Sequence, residues 1–286
     1  MAAVVGDEMV QDAGPVPARR GNAGWLRRMP VWRWLILVIV GIYFIIPLVS
    51  AFRFTGTSAF PAVFRQEGFS SAFELSLKLA VITTVLTLVL MLPTTVYVHL
   101  RLPRLRRLME GVTILPIVIP PVVLIVGVLQ VAPGFLKSQP YLLALEYVVL
   151  AMPFAYRAFD AGLRALDLQT LVEASQSLGG GWGTTLWRVL LPNLRASLLS
   201  ATVLTVALVL GEFTMASLDL YQTFPVWIVN FDQTSGPISV AASLLALVVT
   251  WLFLLAISTI GGRRSRRSGG AEVSMFSVGR RNTGGS

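Results

Sequence analysis

The sequence predicts an all-α integral membrane protein of six transmembrane helices with both termini cytoplasmic. Three observations carry that expectation. The chain is 55% hydrophobic and only 13% charged, with a mean hydropathy of +0.74, whereas a soluble domain is about 25% charged. Uncharged runs close to the ~20 residues that span hydrocarbon recur along it. Arginines cluster beside alternate runs, as they do in loops held on the cytoplasmic side. So little charge cannot cover a soluble globule of 286 residues, which excludes a soluble enzyme, a disordered protein and a disulfide scaffold. There is no cysteine and a single histidine, His99, so thiolate metal sites, thiol nucleophiles and His-rich metal centres lack members. No catalytic and no metal-binding residue is assigned.

The net charge of +9 sits in clusters: Arg19, Arg20, Arg27, Arg28 and Arg33, then Arg101, Arg104, Arg106 and Arg107, then Arg263, Arg264, Arg266 and Arg267. Each abuts an apolar run. That placement points to the cytoplasmic face and to contact with anionic membrane lipid, not to nucleic acid.

Residues 1–30 read as a cytoplasmic disordered tail, rich in Gly, Ala, Pro and Arg. The first span, Trp34–Phe52, is too long for a signal-peptide core and lacks a cleavage pattern, so it is read as retained; with its external loop it fills 31–71. The following spans are Leu79–Val98, Gly111–Val131, Pro140–Tyr156 (carrying Glu146), Ala196–Leu218 (carrying Glu212) and Ile238–Ile260. Residues 263–286 read as a second disordered cytoplasmic tail. Prolines 47, 93, 116, 120, 121 and 153 fall inside spans, and the stretch from Pro116 to Pro120-Pro121 predicts a break or kink in the third. Such a bend serves either static packing or a pathway, which makes Pro120 and Pro121 translocation-pathway candidates. Glu74 and Lys78, i to i+4, are expected to pair.

The connection 157–195 is long enough to hold structure of its own. Arg157, Asp160, Arg164 and Asp167 share a helical face and are expected to pair in sequence. Asp167 caps a new helix, Leu168–Leu178, and Gly179-Gly180-Gly181 ends it with a left-handed residue. A second short helix, Thr184–Leu191, precedes Pro192. Within this hairpin, Glu173-Ala174-Ser175, three residues, Gly179, nine residues, Val189, one residue, Leu191-Pro192 resembles the EAA loop of ABC importer permeases. Ser175 stands where the family has alanine and Val189 where it has isoleucine.

The resemblance covers roughly residues 72–262 and implies the five-helix, MetI-like core of type I permeases, with the first span a peripheral addition. It implies that Glu173, Ala174, Ser175, Gly179, Val189, Leu191 and Pro192 form an ATPase-coupling segment, with Glu173 offering a charge to an arginine on the partner. The implied partners are an ABC ATPase dimer, a second permease subunit and an extracytoplasmic solute-binding protein, in a prokaryotic inner (plasma) membrane. The chain has no Gly-x-x-x-x-Gly-Lys-Ser/Thr phosphate loop, so ATP and Mg belong to the partner ATPase and this chain is expected to bind no cofactor and to be non-catalytic.

Glu212, an intramembrane charge next to Gly211, has two readings: a pathway group attracting a cation, or a hydrogen-bonded pin. Gly211 would let a helix or solute approach closely. The segment from Gly211 to Ser217 with Thr223-Phe224-Pro225-Val226 is similar to permeases of the spermidine/putrescine branch and their iron(III), thiamine and phosphonate relatives. That implies a polyamine or other small charged solute, with a sugar less favoured. An ATP-independent channel would leave the EAA-like loop unexplained, and an integral-membrane enzyme would need clustered carboxylates, histidines or a nucleophile with its base at membrane depth, for which the sequence shows no convergence.

The arginine distribution gives a topology test. Cysteines introduced at Thr57 and Ser138 should react with an impermeant thiol reagent outside intact cells, and one at Ser265 only after permeabilisation. Labelling of Ser265 in intact cells would contradict the six-span count.

Overall fold

The computed structural model describes residues 31–278, with side-chain placement from Trp32 to Thr259; the expected tail at 1–30 and residues 279–286 lie outside the described residues. The chain divides into a unit ending at Ser50 and a second from Ala51 onward. Most of α1, Val31–Thr55, belongs to the first unit. It is apolar round its whole circumference and stays helical through Pro47.

The second unit continues with α2 (Ala59–Val63), α3 (Phe69–Arg101), a 3₁₀ turn at Pro103–Leu105, α4 (Arg106–Val118), α5 (Pro121–Val131), α6 (Gly134–Lys137) and α7 (Pro140–Arg164). Next come α8 (Leu168–Ser177), α9 (Trp182–Thr184), π-helical turns over Thr185–Leu190, and α10 (Leu191–Asn193). It ends with α11 (Arg195–Gly211), α12 (Thr214–Leu218), α13 (Phe224–Asp232) and α14 (Gly236–Val278). Among the described residues four helices are long and apolar enough to cross a bilayer, and six spans result if each bent pair counts as one.

Two of the six expected spans are therefore not straight rods. The third bends by 99° between α4 and α5, where the sequence predicts a break. Pro116 stays inside α4, and the break lies at Ile119 and Pro120, both extended. Pro121 then opens α5, at the first helical position where its missing N–H costs nothing. The fifth span is shorter than expected. α11 stops at Gly211, Glu212 is extended (ψ 125°), and α12 is a separate turn. α11 also meets the preceding α9–α10 arm at 77°. At the C-terminus α14 runs on to Val278, so the segment expected to be unstructured from 263 is helical to that point.

α3, α7 and α11 pack mutually and form the centre of the bundle, with α14 against α11 and α13. One apolar cluster joins Met91, Leu92 and Val96 of α3 to Tyr156, Phe159 and Leu163 of α7 and to Leu168 and Val172 of α8. A second, toward the other ends of these helices, joins Leu79, Ile125, Leu143, Tyr147, Val209, Met215 and Val226. A third is aromatic, with Phe224 stacked on Trp227 and Trp227 on Phe231. Trp227 Nε1 donates to the Glu67 carbonyl at 3.0 Å, so the indole's one polar group is satisfied.

Small residues let α7 and α11 close up, as expected where lipid offers no hydrophobic drive. A Cβ built on Gly162 would run into Ser197 Oγ and press on Leu194. Gly162→Ala should therefore force the two helices apart and cost about 1–3 kcal/mol, read as a lowered Tm in detergent. A wild-type Tm would show that the contact yields freely.

Candidate coupling segment and broken-span sites

The coupling candidates lie on a hairpin built onto the bundle. Asp167 caps α8 as its sequence predicts: its carboxylate accepts from Thr170 N at 3.4 Å and Thr170 Oγ1 at 2.8 Å. The stop is also as expected. Gly179 takes φ +79°, Gly180 N donates to the Ser175 carbonyl at 2.9 Å and Gly179 N to the Gln176 carbonyl at 2.9 Å, the paired closure of a Schellman motif. Gly180 is needed for a second reason: a Cβ there would stand 2.7 Å from both the carbonyl oxygen and the Oγ of Ser175.

Ser175, the departure from alanine, is explained by its partner. Its buried Oγ lies 2.8 Å from Thr185 Oγ1, and Thr185 donates its own proton to the Gly181 carbonyl at 3.1 Å. Ser175 is thus the donor of the pair, and it ties α8 to the second arm. That arm begins two residues earlier than expected, at Trp182.

α8 is two-faced. Leu168 and Val172 enter the core cluster with α3 and α7, while Glu173, Ala174 and Leu178 are exposed, Leu178 at 89%. Pro192 is exposed, and Val189 and Leu191 are half-buried. A cleft between the end of α3 and the hairpin is lined by Arg101, Gln169, Glu173, Gln176 and Trp182.

The expected in-line row of charges is corrected. Asp160 pairs with Arg164 at 2.6 Å, but Asp167 is spent on its cap. Asp160 instead turns inward, 9% exposed, and meets His99 Nε2 and Arg106 Nε, each at 3.0 Å. Sequence spacing on one helix gave no signal for those two contacts, because they come from α3 and α4. The Glu74–Lys78 pair forms at 2.6 Å on an exposed face.

At the opposite end, Glu212 is the anchor of its own helix break. Its carboxylate accepts from Met215 N at 3.0 and 3.1 Å, from Ala216 N at 3.4 Å, and from Tyr147 Oη at 3.1 Å. These are the orphan donors of α12 and the one polar atom of a buried tyrosine. The side chain remains half-buried. Gly211 is exposed, and among the described residues nothing lies within 4 Å of where its Cβ would be, so no described helix uses it for close approach. Pro120 is exposed and Pro121 half-buried. α5 and α12, the segments just beyond the two breaks, pack on each other. Glu146 of α7 is 2% exposed, with neither carboxylate oxygen hydrogen-bonded.

This architecture has counterparts. The chain is 30% identical to the molybdenum transport system permease protein ModB of Mycobacterium tuberculosis, over 79% of this chain and 93% of that one. It is 30% identical to the sulfate transport system permease protein CysW of Synechococcus elongatus over 44% and 46%. Its fold matches a chain of the crystal structure of a bacterial alginate ABC transporter, bound to a pentasaccharide-loaded periplasmic protein, with a TM-score of 0.62 at 16% identity, covering 85% of this chain and 95% of that one. None of these is a polyamine permease, so the finer resemblance to the spermidine/putrescine branch finds no support in them.

The clasp makes a graded prediction. Gly180→Ala should open the hairpin and speed proteolysis at Arg188, whereas Ser175→Ala, losing one hydrogen bond of about 0.5–1.5 kcal/mol, should stay close to wild type. The reverse order would contradict the geometry.

Residues 80–267 match the profile of binding-protein-dependent transport system inner membrane components, and the chain belongs to that family of ABC importer permeases.

Proposed function

We propose that this permease carries a tetrahedral oxyanion of the molybdate or sulfate kind, and that Leu168–Pro192 is its coupling segment. The observation that carries the coupling reading is the two-faced α8: its apolar side is rooted in the core, and its other side presents Glu173 and Ala174 outward. A rigid knob of this kind suits a cleft on a cytoplasmic ABC ATPase, with Glu173 facing a partner arginine. ATP and Mg are then held by the ATPase dimer, solute is delivered by an extracytoplasmic binding protein, and a second permease subunit completes the pathway.

The oxyanion reading is supported by the molybdenum and sulfate permeases among the relatives. Glu212 fits it as a pin better than as a cation site. An unshielded carboxylate beside the pathway would repel an anion, and here its oxygens are committed to Tyr147, Met215 and Ala216. The extended backbone at Pro120 and Glu212 is the kind of irregular segment that membrane transporters place along a pathway.

Two measurements on the permease assembled with its ATPase and binding protein test these claims. Glu173→Lys should assemble but lose solute uptake while ATP hydrolysis continues, a desolvated charge reversal costing several kcal/mol; normal uptake would refute the coupling role. Molybdate or sulfate should stimulate ATP hydrolysis and putrescine should not; stimulation by putrescine alone would overturn the oxyanion reading.

A further inference from the structure

At the arginine-rich end of the bundle three helices meet on one carboxylate. Asp160 of α7 is 9% exposed and receives His99 from the end of α3, Arg106 from the start of α4, and Arg164 from its own helix, at 3.0, 3.0 and 2.6 Å. His99 Nδ1 lies 2.9 Å from the Thr95 carbonyl. A carbonyl only accepts, so Nδ1 carries the hydrogen that fixes the ring against α3. Tyr156 Oη adds a bond to the Arg106 carbonyl at 3.2 Å. α7 ends four residues after Asp160, and α8 starts at Leu168 with Asp167 as its cap.

The cluster thus ties the root of the coupling segment to both ends of the α3–α4 connection. α3 lies in the bundle's centre, and α4 leads to the break at Pro120. Apolar contact alone would let these ends slide. A buried carboxylate shared by Arg106 and Arg164, with His99 packed 3.0 Å from it, resists sliding, because any separation leaves charge without its partner in a low-dielectric setting.

We propose that Asp160 is the positioning residue that makes α3, α4 and α7 move with the coupling segment, so that displacement of α8 by the ATPase reaches the broken span. The proposal rests on the coupling reading above. It assigns Asp160 no contact with solute or ATP.

The chain has no cysteine, so an environment-sensitive fluorophore on Arg104→Cys, exposed at the α3–α4 turn, reports motion there. The labelled permease is assembled with its ATPase and challenged with Mg-ATP, with no solute needed. In the Asp160→Asn background the ATP-induced signal should fall about tenfold while ATP hydrolysis is kept, and Asp160→Glu should restore it. An Asn variant with the wild-type signal, or a Glu variant as silent as Asn, would overturn the proposal. Should Asp160→Asn not assemble, Arg164→Gln takes its place. Arg164's side chain is 50% exposed, so its loss leaves the core intact; a reduced signal with hydrolysis kept supports the joint, and an unchanged one refutes it. A labelled wild-type complex that gives no ATP response refutes the coupling reading itself, a different failure.

Discussion

A chain that crosses hydrocarbon must satisfy from within itself every polar group that a broken helix releases, and this protein breaks two of its spans. The solutions differ. At Ile119–Pro120 two prolines remove donors, and the Pro120 carbonyl accepts from Val123 N and Leu124 N at 2.9 and 3.2 Å as α5 begins. Past Gly211, where no proline helps, Glu212 folds forward onto Met215 and Ala216 and takes Tyr147 as well. The intramembrane charge is the means by which the break is tolerated. Because α5 and α12 then pack on each other, the two irregular segments support one another at the end of the bundle opposite the α8–α10 hairpin.

The same constraint shapes the arginine-rich end. His99, the one histidine, lies 3.0 Å from Asp160 through Nε2. The hairpin after it is held twice, by Leu168 and Val172 in the core and by the Ser175–Thr185 hydroxyl pair. Its outward face presents Glu173 and Ala174 beside the exposed Leu178 and Trp187. Sites at the two ends of α7 are thus connected by one packed helix, with Tyr147 near one and Asp160 near the other.

Much of this was legible. Local signals with a stereochemical cause read correctly: the Asp167 cap, the left-handed Gly179, the break at Pro120 and the Glu74–Lys78 pair. The end of α11 was not legible, because the apolar run continues to Leu218 and hydropathy cannot see a turn whose donors a side chain satisfies. The hint was Gly211-Glu212 three residues before Met215, an acceptor placed as a cap. The Asp160 cluster was missed because helical spacing ranks neighbours on one helix, whereas His99 and Arg106 arrive from other helices. The likeness to polyamine permeases finds no support among the relatives, and the residues around Glu212 record how a helix break is capped.

The central claim is that the hairpin and the ends of α3 and α7 form one body. Spin labels on Ser177→Cys in α8 and Tyr97→Cys in α3, both exposed, measure it by pulsed dipolar spectroscopy in the assembled transporter. The account predicts one distance distribution, the same with and without ATP. A distribution that shifts or splits when ATP is added would show that the hairpin moves against the bundle, and would contradict it.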